Sequence, residues 1–123
     1  MIALAVLLSL AASADPSPAQ PEEVTVMARR LKDWRGTVTK KGDGLVCETK
    51  ASTGDAAIDD VGCKTMVNCL LAEREALKLP VKDRTPEWHK AMNGKLSGCM
   101  DAEHARLLSE LADARAAKAA GVP

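Results

Sequence analysis

The chain has 123 residues, and its 17 Lys and Arg balance 17 Asp and Glu, so no net charge is available to recruit nucleic acid or an anionic membrane. Trp34 and Trp88 are its only aromatic residues, against four cysteines, which predicts a thin core with covalent staples. This length and these short apolar runs exclude a multidomain enzyme, a repeat array and a transmembrane bundle.

Ile2 to Leu10 is apolar apart from Ser9, and Ala11-Ala12-Ser13-Ala14 places small residues before Asp15 and Pro16. Residues 1–14 therefore read as a secretory signal peptide cleaved after Ala14, well short of the roughly 20 residues that span a bilayer. The expectation is a periplasmic or secreted protein with no stable membrane insertion after cleavage. Residues 15–30 follow as a flexible tether, because Pro16, Pro18 and Pro21 among Ser and Gln leave no face to bury.

Residues 31–120 form a single small domain of the α+β class. Thr37-Val38-Thr39 and Leu45-Val46-Cys47 flank Gly42-Asp43-Gly44, the pattern of a β-hairpin, which is marginal in water unless it packs on something. Its support is predicted to be an antiparallel helical pair. The first helix has Ser52 as its cap and an apolar face through Ile58, Val61, Met66, Cys69 and Leu77, with Gly62 as a dividing point and Leu79-Pro80 as the stop. The second begins at Thr85-Pro86-Glu87, a cap, a proline at the first helical position and an acid matched to the dipole, and it ends near Gly121. Gly94 and Gly98 weaken its middle, which a close approach of the first helix would account for. Trp88 is the expected core anchor, and Trp34, between Asp33 and Arg35, is expected to be partly exposed.

In an exported chain Cys47, Cys63, Cys69 and Cys99 read as two disulfides. Pairing Cys63 with Cys69 is poor, since six helical residues separate them by roughly 9 Å along the axis and about 120° around it. Two pairings survive. Cys47 with Cys63 and Cys69 with Cys99 is favoured because Cys69 and Cys99 lie on facing apolar stripes. Cys47 with Cys69 and Cys63 with Cys99 suits the axial distances slightly better.

No CxxC knuckle or CxxCH occurs, so zinc and covalent haem are disfavoured. The chain carries no GxSxG, HExxH or phosphate-cradling glycine loop, so no enzyme and no cofactor are expected. Met100 and His104, four apart on one helical face, are the residue types that hold copper, and a periplasmic copper-binding protein is the alternative reading.

Glu22-Glu23-Val24-Thr25-Val26-Met27-Ala28-Arg29-Arg30 resembles the TonB-box segment of TonB-dependent outer-membrane receptors, with Met27 where that family usually carries Thr. The resemblance implies that Val24, Thr25, Val26 and Met27 pair as an added strand with a TonB-like transducer. The chain as a whole resembles small exported proteins of proteobacteria. The resulting expectation is an exported, non-catalytic protein-binding or envelope accessory protein.

Overall fold

The computed structural model describes residues 21–121, so the predicted cleavage site at Ala14 and residues 15–20 lie outside the described residues. Its first element corrects the expected tether, because Pro21–Leu31 is a helix, α1. Pro21 opens it without sacrificing a hydrogen bond, Glu22 and Glu23 sit in its first turn, and Arg29 and Arg30 in its last, all matched to the helix dipole. Val24, Met27, Ala28 and Leu31 recur at helical spacing, and Met27 and Leu31 are buried. Val24, Thr25, Val26 and Met27 are therefore helical and not extended. Burial of Met27 outweighs the weak β preference of Val and Thr.

The hairpin forms as the sequence predicts. Strands β1 (Arg35–Lys41) and β2 (Gly44–Ala51) pair antiparallel, with Val38 opposite Cys47 and Lys41 opposite Gly44. That leaves Gly42-Asp43 as a two-residue turn. Gly42 carries φ +61° and Asp43 does not have positive φ, the requirement of a turn whose twist matches the strands. Gly36, Val38, Leu45, Cys47 and Thr49 point inward, and the alternate residues are exposed.

Helix α2 spans Ala56–Ala72. Its cap is Asp55 and not Ser52: the Asp55 carboxylate accepts from the N–H groups of Ala57 at 3.0 Å and Ile58 at 3.3 Å. The Ser52 hydroxyl donates instead to Asp59, whose carboxylate also accepts from the Thr53 N–H and hydroxyl, each at 2.8 Å. Gly62 does not divide α2. It lies buried against the ring of Trp34, which is itself only 8% exposed. The helix stops at Ala72, before the predicted Leu79-Pro80 boundary, and two 3₁₀ turns, Ala76–Lys78 and Val81–Asp83, lead into α3.

Helix α3 runs from Pro86 to Ala119, about 51 Å at 1.5 Å per residue, and Thr85 caps it by accepting from the Trp88 N–H at 3.1 Å. The hairpin packs on α2, α2 on α3, and α1 against both helices. Disulfides join these layers, Cys47 to Cys63 between β2 and α2, and Cys69 to Cys99 between α2 and α3. Ile58 precedes Cys69 on α2, and Leu108 and Ala112 follow Cys99 on α3, so antiparallel helices bring these three buried residues to one level. Leu31 and Met27 complete that core. A Cβ on Gly94 or Gly98 would face open space, so the approach of α2 at Cys99 does not require glycine at either position. Trp88 is half-buried, the reverse of the roles expected for the two tryptophans.

Candidate functional site

All four cysteines are consumed in disulfides, which leaves none as a metal ligand or nucleophile. Met100 and His104 are both half-buried on α3. His104 shares a shallow depression of about 310 Å³ with Leu31, Lys32 and Asp101, facing the end of α1. Burial lowers its pKa from the usual 6.5, and the charge of Asp101 opposes that shift. Among the described residues no three His, Cys, Asp or Glu side chains come together as a metal site.

A charged cluster joins the three helices. Arg115 of α3 donates to the Asp55 carboxylate at 2.6 Å and lies 3.6 Å from the Met27 sulfur, and Arg30 of α1 approaches the same carboxylate at 3.7 Å. The Arg115 hydrogen bond is the main reason the Asp55 pKa falls below its usual value; burial opposes the fall, and the capping N–H groups add to it. Every charge in this cluster faces an opposite one, and the arrangement locks the start of α2 to both neighbouring helices.

The larger concavity lies at the other end of α2. Near its base the hairpin is held to α2 by the Cys47–Cys63 bond and by Trp34, whose indole N–H donates to Thr49 at 3.0 Å. Toward the turn no such filling exists, and a groove of about 700 Å³ opens between the hairpin tip and the last turn of α2. Its floor is aliphatic, with Val38 and Leu45 from the strands, Leu70 and Leu71 from α2, and Leu77 from the first 3₁₀ turn. Lys40, Arg74 and Lys78 line it with the single carboxylate Asp43. Lys78 pairs with Glu75 at 3.0 Å, whereas the side chains of Lys40 and Arg74 make no ion pair or hydrogen bond with any described residue, although the charge of Arg74 also acts on Glu75.

The far wall of this groove is anchored to α3. Arg84 donates to the carbonyls of Leu77 and Leu79, both at 3.0 Å, and its guanidinium stacks 4.6 Å from the centre of the Trp88 ring. Leu79 and Val81, which follow Leu77 in the chain, are exposed. None of these residues is picked out by the sequence as a site. Val38 and Leu45 read there as strand residues and Leu77 as part of a helix's apolar face, and the early end of α2 has no punctuation of its own, since Glu73 to Glu75 contains neither Gly nor Pro.

Val24, Thr25, Val26 and Met27 lie in α1, with Met27 in the core and Val26 exposed. Among the described residues no helix is long and apolar enough to cross a membrane. No protein family, curated protein or solved structure matches the chain.

Proposed function

We propose that this chain is an exported, non-catalytic accessory protein of the cell envelope that acts by binding. The observation that carries the reading is the aliphatic groove at the hairpin tip, with Leu79 and Val81 exposed a few residues further along the chain, on a domain with so few large apolar residues to spare. An open, largely apolar groove edged by a few charged groups marks a binding site. The leader-like residues 1–14 and the two disulfides support export, since such bonds persist in oxidising compartments. The groove, and not the TonB-box-like segment, is the binding surface in this reading. Strand addition by Val24 to Met27 would require α1 to unwind and Met27 to leave the core.

Site-specific photocrosslinking in growing cells tests the reading. A crosslinker at Val81 is expected to give discrete adducts that one at Val26 does not. Adducts at Val26 alone would transfer the binding role to α1, and adducts at neither position would remove the proposal. Fractionation of the same cells with amino-terminal sequencing checks export, which predicts a mature chain starting at Asp15 outside the cytoplasm.

A further inference from the structure

We propose that the groove at the hairpin tip holds a single-chain anionic amphiphile, with its alkyl chain on the aliphatic floor and its headgroup between Lys40 and Arg74. This rests on the reading of the protein as an envelope binding protein and names the chemistry of what it binds.

The lining selects for this class in three ways. First, the floor is built from Val and Leu side chains alone, and no neutral polar side chain lines the groove. A sugar or a peptide backbone laid across the floor would find hydrogen-bond partners only at the charged rim of Lys40, Asp43, Arg74 and Lys78 and would lose water elsewhere, a cost that a methylene chain does not incur. Second, a volume of about 700 Å³ is within the range of small-molecule sites and too small for a protein domain. Third, the side chains of Lys40 and Arg74 are held in no hydrogen bond or ion pair, the acid whose charge Arg74 feels, Glu75, being bonded already to Lys78, and they outnumber Asp43, the one carboxylate on the lining. Arg74 offers a planar fork suited to a carboxylate or phosphate, and Lys40 a point charge. A monomeric amphiphile fits better than a bilayer surface, because the groove lies between two walls and residues 21–121 carry only one excess positive charge, 17 Lys and Arg against 16 Asp and Glu.

The disulfide-bonded protein is titrated with octanoate, decanoate and dodecanoate below their micellar concentrations while its methyl resonances are followed by NMR. The expected result is saturable shifts at Val38, Leu45, Leu70, Leu71 and Leu77, with affinity rising about fourfold per added methylene until the floor is covered. Decyltrimethylammonium is expected to bind at least tenfold more weakly than the carboxylate of equal chain length. Lys40→Glu with Arg74→Glu should reverse that order, and Asp43→Asn should tighten carboxylate binding. These positions are exposed, so the variants keep the core intact, which their methyl spectra verify.

Shifts that do not saturate at these methyls, or equal affinity for both headgroups, would overturn the proposal. So would binding seen with phosphatidylglycerol vesicles and not with monomeric carboxylate, which would point to a membrane surface. If the carboxylates fail to bind while crosslinks from Val81 to a protein persist, this proposal falls and the binding-protein reading stands. If both fail, both fall.

Discussion

Trp34 shows how much of this fold hangs on single atoms. A Cβ built on Gly62 would lie 2.6 Å from the indole, and one on Gly36 would lie 2.3 Å from it. The ring therefore fits between strand and helix only because both positions lack a side chain. Ala normally stabilises a helix interior by about 1 kcal/mol over Gly. Gly62→Ala is expected to do the opposite and cost about 1–3 kcal/mol, as overpacking does. Gly94→Ala and Gly98→Ala, in open space, should each gain about 0.5–1 kcal/mol. Urea melts of the three variants check the sign. The sequence could not distinguish these glycines, since all three interrupt helical patterns alike and only the position of Trp34 separates them. Thr65 is a second case at this scale. It is fully buried, and its hydroxyl has no partner among the described residues. Thr65→Val keeps the shape and removes that unsatisfied group, so it should raise stability by about 1 kcal/mol, read in the same melts.

At the scale of elements, α1 is where sequence and structure part most. Its acidic first turn, basic last turn and apolar spacing at Val24, Met27, Ala28 and Leu31 were all legible. The prolines Pro16, Pro18 and Pro21 and the likeness to an extended segment point the other way. What the sequence lacked was the partner surface on α3 that makes a helix of this length hold, because helices this short are marginal alone. The hairpin, the capped start of α3 and the favoured cysteine pairs depend on local chemistry or on facing stripes, and those were readable. The groove was not, since it is a gap between elements. Met27→Ala should cost about 2–5 kcal/mol. Val26→Ala, at 53% exposure, should cost almost nothing. A flexible tether would make both silent.

The cluster that joins α1, α2 and α3 also sets how the elements respond to acid. The Asp55 pKa is lowered from 3.8, chiefly by Arg115, so its contribution is complete above that value and is lost as pH falls through the lowered one. Burial likewise lowers the His104 pKa from 6.5, so stability linked to it is complete above that value and is lost as pH falls below it, before the Asp55 contribution goes. Melting temperature should therefore decline in two stages on acidification. Arg115→Gln is expected to shrink the stage below about pH 4, leaving the part carried by Asp59, Glu75 and Glu103, and His104→Gln to remove the one nearer neutrality.

For the whole molecule, the layer order decides what each disulfide does. The hairpin touches α2 and neither other helix, so Cys47–Cys63 is its only covalent attachment to the helical part apart from the chain itself. Cys69–Cys99 joins the two helices that carry most of the core. The bridged cysteines are 16 and 30 residues apart, and the chain-entropy model then gives about 3–4 kcal/mol for either bond, comparable with the net stability of a small domain. The totals are similar but the losses differ in kind. Replacing Cys47 and Cys63 together with Ala frees the hairpin from α2, so Trp34 loses its strand-side cover and its emission should move to the red while the helical circular dichroism persists. Replacing Cys69 and Cys99 loosens α2 from α3 and should lower helicity and tryptophan burial in one transition. Since the hairpin also forms one wall of the groove, the first variant should lose decanoate binding at temperatures where its helices remain folded. Equal melting midpoints for both variants and the parent would mean that noncovalent packing alone holds the layers together.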